Sequence, residues 1–230
     1  NLNIQDLNVE DIINVFQKCD TLKADLLLKI ESILQKEKWL TKVEVEKTFD
    51  LDDKFLQTPI FESMKSQLRQ KILRDVFIEM YSFAIPSLEA IECICSHSPI
   101  LEVGCGSGFW SMLLQKHGCD VIATDPNKNY TKFWTNVLPI DAETAQLQYP
   151  NRTLLICWPF ISGEWQVNVL KKADKVIFIG EWGGCTGSDI FFKELSEDFE
   201  EIHWLPIPKW AGLNDSLYIM KRKNLCFTES

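Results

Sequence analysis

Leu101-Glu102-Val103-Gly104-Cys105-Gly106-Ser107-Gly108-Phe109-Trp110 is the stretch on which the fold turns. It follows Pro99 and opens on a short apolar run, Ile100 to Val103, that reads as a buried strand. Three glycines come next, and then a helical pattern over Phe109 to His117. Without a Cβ, glycines let the chain turn tightly and let a ligand approach the backbone closely. The helix start beyond them presents free N–H groups and the positive end of a dipole. A nucleotide-like ligand is therefore expected over the C-terminal edge of this strand.

The spacing separates two kinds of nucleotide site. Dinucleotide loops run G-x-G-x-x-G, whereas Gly104, Gly106 and Gly108 run G-x-G-x-G, with Phe109 at the place of the third dinucleotide glycine. Glu102 stands two residues before the first glycine, where a carboxylate is unfavourable beside a pyrophosphate and favourable beside an ammonium group. A second strand, Val121 to Thr124, ends at Asp125, placed to accept hydrogen bonds from ribose hydroxyls.

Glu102 to Gly108 together with Asp125 resemble the first two motifs of the class I S-adenosylmethionine-dependent methyltransferases. The alternation of strand and helix over residues 87 to 223 fits that class as well. Tyr81–Pro86, Arg152–Pro159 and Gly183–Thr186 further resemble a little-characterised group of predicted methyltransferases. The resemblance implies S-adenosyl-L-methionine as cofactor. Glu102, Gly104, Cys105, Gly106 and Gly108 would cradle its methionine part and Asp125 its ribose. Asp141, after the third strand, would face the adenine, and Cys157, at the end of the fourth, would border the same pocket.

Outward from the motif, the chain has two textures. Residues 1 to 80 hold no glycine and read as an all-helical extension. Val9, Ile12, Ile13 and Phe16 share one helical face, as do Leu22, Leu26, Ile30 and Ile33. Thr41 with Glu44 fits a capping box, and Phe61, Met64, Leu68, Ile72 and Val76 line a longer helix. Residues 81 to 230 read as the catalytic domain, with the extension as a lid. After Asp125, residues Asn127 to Asn136 are expected to be helical and Val137 to Asp141 to form a short third strand weakened by Pro139. Thr153–Trp158 and Lys175–Gly180 are strong buried strands. Glu200–Leu205 and Ser216–Met220 suit a closing antiparallel hairpin. The expected fold class is α/β, a Rossmann-like methyltransferase sheet that is mostly parallel.

The fourth strand ends Cys157-Trp158-Pro159-Phe160. This resembles the N/D-P-P-Y/F motif of amino methyltransferases, but Cys157 and Trp158 replace its polar residue and first proline. Adenine or glutamine methylation is therefore not supported. Trp158 reads either as a stacking surface for cofactor or substrate, or as core. The fifth strand ends Gly180-Glu181-Trp182-Gly183-Gly184, where Glu181 is either a general base or cation contact, or a capping residue. Tyr81 and Phe83 either cover the pocket or pack in the core. Trp210, Gly212, Asn214 and Asp215 read as a hairpin loop. His97, His117 and His203 have no visible catalytic partner. Lys221, Arg222 and Lys223 read as a solvated strand end.

Composition narrows the partners. A net charge of −9 disfavours nucleic acid, because phosphate neutralisation needs clustered Lys and Arg. The acceptor is then expected to be a small molecule or a protein. No apolar run approaches the roughly 20 residues that span a bilayer, and Asn1 to Glu10 carry no secretory pattern. The eight cysteines include no C-x-x-C pair, which reads as free thiols in the cytoplasm with no metal site. Two further readings stay open: a cofactor-binding scaffold without activity, and a nicotinamide-dependent enzyme on a similar sheet.

Overall fold

The computed structural model describes residues 8–10, 74, 78, 81–130, 132–210 and 212–223. The chain divides into two compact units, one formed by Asn1–Ile13 with Ile78–Ser230 and the other by Asn14–Phe77. The helices expected within residues 1 to 80 lie outside the described residues, apart from helical positions at Val9, Glu10, Arg74 and Ile78. The first unit holds every described strand, and its helices are numbered α1 onward from Leu88.

Helix α1 (Leu88–Cys95) begins where Ser87 caps the free Ala90 N–H with its hydroxyl, at 3.2 Å. It leads into β1 (Ile100–Val103), whose four residues are all buried. Helix α2 (Phe109–Lys116) buries its first six residues, Phe109 to Leu114, so its apolar surface wraps most of the way round. Strands β2 (Val121–Thr124) and β3 (Val137–Leu138) follow, then α3 (Ala142–Gln148), β4 (Thr153–Cys157), α4 (Trp165–Leu170), β5 (Lys175–Gly180), α5 (Asp189–Asp198), β6 (Phe199–Pro206) and β7 (Ser216–Arg222).

Seven strands form one sheet in the order β3-β2-β1-β4-β5-β7-β6. The first five pair in parallel. Strand β7 inserts antiparallel between β5 and β6, which closes the hairpin. This is the Rossmann-like methyltransferase sheet expected from the sequence. Its apolar strands are sandwiched between helices: Val176 and Phe178 of β5 pack with Phe191, Phe192 and Leu195 of α5. At the other strand ends, Arg152 grips Asp120 through two bonds of 2.9 and 3.0 Å and donates to the Ile100 carbonyl at 3.1 Å. One side chain thereby ties the β1, β2 and β4 starts together.

The segment after β2 departs from expectation. No described residue between Asn127 and Asn136 is helical. Asp125 Oδ1 accepts from the Asn127 N–H at 2.8 Å, and Asn127 Oδ1 accepts from the Asn129 N–H at 3.0 Å. Two successive side-chain turns thus take the N–H groups that a helix start would have used. Strand β3 is also shorter than expected. Pro139 has no N–H for the ladder, and by residue 141 the chain is already capping α3.

The chain winds from β1 outward to β3, then returns to build β4 and β5 on the other side of β1. That reversal opens a crevice beyond the C-terminal ends of β1 and β4, where α/β sheets bind ligands.

Candidate functional site

A cavity of about 640 Å³ occupies this crevice, within the size range of small-molecule sites. The glycine turn forms its floor. Gly108 caps α2 in the left-handed region at φ 80°, and a Cβ there would lie 2.9 Å from methyls of both Thr135 and Val137. Both conformation and space therefore require glycine at this position. The turn is held from β2: the Gly106 N–H donates to Asp125 Oδ2 at 2.8 Å, and the Cys105 N–H donates to the Thr124 carbonyl at 3.1 Å.

Two carboxylates stand at this floor, in different states. Asp125 is 7% exposed and takes one backbone N–H on each oxygen. Burial raises its pKa, and those two bonds pull it back. A second lone pair on each oxygen remains for ligand hydroxyls. Glu102 is only 1% exposed. The Ser111 hydroxyl donates to its Oε2, and among the described residues no cation pairs with it. Burial pushes its pKa up to about 7; the Ser111 bond opposes the rise and the Asp125 charge adds to it. A carboxylate in this state gains from a positive partner brought in by a ligand.

Trp110, from the same motif, also lines the cavity. It is 2% exposed, and its buried indole N–H has no hydrogen-bond partner among the described residues. Orphaned buried donors are rare and mark a place where a ligand acceptor or a water belongs. Cys105 and Cys157 line the wall with thiols that burial pushes well up, so both are neutral. Asp141 reaches the cavity as well, but from the surface. Its oxygens cap α3 by accepting the Thr144 N–H at 2.8 Å and hydroxyl at 2.9 Å, which lowers its pKa.

The far wall comes from the end of β4 and from the segment before α1. The Trp158 N–H still pairs with the Ile179 carbonyl at 2.8 Å, yet Trp158 has φ 52°. A bulky side chain in this region costs on the order of 1–3 kcal/mol, which the surroundings must offset. Two contacts do so. The indole N–H donates to the buried Asp215 at 2.9 Å, and the ring stacks on Phe83 at 5.1 Å with planes 14° apart. Phe160 meets Phe83 edge-on at 6.3 Å. Tyr81 contacts the glycine turn directly, because its carbonyl accepts from the Ser107 hydroxyl at 3.2 Å.

Glu102, Gly104, Cys105, Gly106, Asp125, Asp141, Cys157 and Trp158 all line one cavity, and Tyr81 and Phe83 join them. Gly108 shapes the turn behind it. Glu181 stands apart and does not line the cavity. Its carboxylate accepts from the Cys185 N–H at 3.1 Å and the Asn214 N–H at 2.8 Å, and its carbonyl accepts from the Thr186 hydroxyl at 2.9 Å. Gly184 is needed beside it, since a Cβ there would lie 2.5 Å from the carboxylate. This arrangement is that of a loop latch.

Trp110, Tyr130 and Trp165 also line the cavity, and the sequence does not single them out. Trp110 lies inside the decisive motif, where its indole reads as ordinary helix core. Tyr130 and Trp165 have no local signal at all. Asp215 reads as a hairpin-loop residue in sequence and proves to be the buried anchor of Trp158.

Among the described residues, no helix is long and apolar enough to cross a membrane. The described cysteines, Cys93, Cys95, Cys105, Cys119, Cys157 and Cys185, are free thiols.

Strand order and hairpin place the domain in the Rossmann-like methyltransferase fold class. No family model and no curated protein matches the sequence. Several solved structures are distantly similar. Magnesium protoporphyrin IX methyltransferase from Synechocystis, solved with bound SAM, is 13% identical over 67% of this chain and 97% of its own, with a TM-score of 0.45. The N-methyltransferase NodS from Bradyrhizobium japonicum is 18% identical over 54% of this chain and 85% of its own, at 0.37. A protein in the NADB-Rossmann superfamily from Streptococcus agalactiae is 14% identical over 62% and 72%, at 0.42. Likenesses this distant bear on neither substrate nor activity.

Proposed function

We propose that this protein is an S-adenosylmethionine-dependent methyltransferase acting on an N, O or S atom of a small molecule or protein. The observation that carries the reading is Glu102, a buried carboxylate that pairs with no cation among the described residues, in a cavity at the sheet's reversal point. The orphaned Trp110 N–H in the same wall supports it. One ligand end with an ammonium and a carboxylate answers both. Beside a pyrophosphate, the same Glu102 would be repelled, which sets the nicotinamide reading aside.

In this reading Glu102 holds the ammonium, Asp125 the ribose hydroxyls, and Asp141 with nearby apolar side chains borders the adenine. S-adenosylmethionine, when bound, supplies an electrophilic methyl group on a sulfonium. The chain's own residues position the two partners and keep water out. Methyl transfer is an in-line displacement in which positioning and desolvation supply much of the acceleration. Glu181 holds the loop after β5 and is not needed as a base. Residues 81 to 230 form the catalytic domain, and residues 1 to 80 a helical extension.

The test is calorimetry with S-adenosylmethionine, its demethylated product and NAD. The first two are expected to bind and NAD to give no heat. Binding of NAD alone overturns the reading. Methyl-labelled cofactor incubated with cell extract then separates enzyme from scaffold: label moved into acceptors supports catalysis, and binding with no transfer identifies an inactive cofactor-binding protein.

A further inference from the structure

The described charged side chains lining the cavity are Glu102, Asp125, Asp141 and Glu143, all from the stretch between β1 and α3. The opposite wall, from Ile78–Phe83 and Cys157–Trp165, contributes no charged side chain among its described lining residues. It contributes rings instead: Phe83, Trp158, Phe160 and Trp165.

Building on the methyl-transfer reading, we propose that the acceptor is an uncharged planar aromatic molecule, a phenol or a ring-nitrogen heterocycle, seated against Phe83, Trp158 and Phe160. Three observations lead there. First, the Trp158 indole N–H donates to Asp215, and Trp158 lines the cavity as an apolar ring. Its unusual backbone conformation, with the Phe83 stack, fixes that ring in one orientation. Second, Phe160 is 70% exposed at the cavity and Ile161 beside it is 61% exposed. An apolar acceptor that covers Phe160 removes that surface from water. Third, the described lining residues of this wall hold no carboxylate for an aliphatic ammonium, and burying a charge without a partner is costly. The neutral Cys157 thiol supplies none.

In the reaction, a lone pair of the phenolic oxygen or ring nitrogen forms the new bond to the methyl carbon. The carbon–sulfur bond breaks as it forms, and its electrons stay on sulfur. A phenol then loses its proton to water; a ring nitrogen that carried none keeps the positive charge.

The test titrates p-cresol, quinoline, n-butylamine and tetramethylammonium by ligand-observed NMR. Each is measured with and without saturating S-adenosylhomocysteine, on the full chain. The aromatic probes are expected to bind and the aliphatic ones to remain free. Phe160→Ala, a substitution at an exposed site, should weaken the aromatic probes about three- to tenfold, as loss of one aromatic contact does. Phe83→Leu, which removes the ring stacked on Trp158, should weaken them by a similar factor. Tetramethylammonium binding more tightly than quinoline overturns the proposal, as does aromatic binding that ignores both substitutions. If S-adenosylhomocysteine fails to bind, the methyl-transfer reading falls, and the probes titrated without it still decide what this wall accepts.

Discussion

The two walls of the cavity are built by different means. On the β1–β2 side, backbone geometry does the work: glycine turns, N–H groups aimed at Asp125, and a carboxylate sunk beneath them. On the β4 side, side chains from three distant segments interlock, with Phe83 against Trp158 and Trp158 against Asp215. A backbone-built wall tolerates little change in its few key residues. An interlocked wall can lose one ring and keep its shape through the others. The first therefore suits an invariant ligand, and the second a ligand that gives the protein its specificity.

Asp125→Ala should break this contrast most strongly if it is wrong. The substitution leaves the Gly106 and Asn127 N–H groups without their acceptor and, on the proposed reading, removes the carboxylate that would accept from ribose hydroxyls. Affinity for S-adenosylhomocysteine is expected to fall about a hundredfold or more in calorimetry, about 2.7 kcal/mol. A loss no larger than that of Phe160→Ala would mean that the two walls do not divide the work.

Glu102 gives an effect of intermediate size with a pH signature. Its folded pKa of about 7 lies above the ordinary carboxylate value of 4.5. Between those values the folded chain binds more protons than the unfolded one, so stability falls as pH rises through the window. The penalty is absent below the unfolded pKa and complete above pH 7, on the order of 3 kcal/mol. Thermal melts of the ligand-free protein from pH 4.5 to 8 should show this decline, and Glu102→Gln should remove it. A ligand ammonium favours the ionised form, so binding releases a proton below pH 7 and the ligand-induced rise in Tm grows with pH. Equal slopes for parent and variant would place the buried charge elsewhere.

The smallest effect concerns Glu181. As a latch, its change to Gln trades one acceptor for a donor facing an N–H group, costing about 1–2 kcal/mol locally. Faster amide exchange over residues 181–187 is expected, with methyl incorporation from labelled cofactor into extract falling less than about tenfold. A general base would lose about a hundredfold or more.

The same division explains which parts of the site are legible in the sequence. Glu102, the three glycines and Asp125 belong to two neighbouring strand ends, and their placement follows from local conformation, so spacing alone exposes the turn they build. The strand order is legible too, because buried parallel strands are continuous apolar runs. The loop after Asp125 reads as helix in sequence, since Asn127 captures N–H groups only once Asp125 has set the preceding turn. Glu181 is ambiguous in sequence because a carboxylate after a strand serves a base or a latch equally well. Its bond to Asn214, 33 residues away, resolves where it points.

By itself the sequence determined a turn: glycines at 104, 106 and 108 between a buried strand and a helix, with an acid before it and another after β2. Those features depend on which φ values a residue allows and on what a few neighbours bury, so they are encoded locally. Tertiary structure alone decided that Trp158 would be pinned by Asp215 and stacked on Phe83, and that Trp110 would keep a bare N–H in the wall. Each of these depends on groups brought together across the sheet, where burial and hydrogen-bond satisfaction are properties of the packed whole.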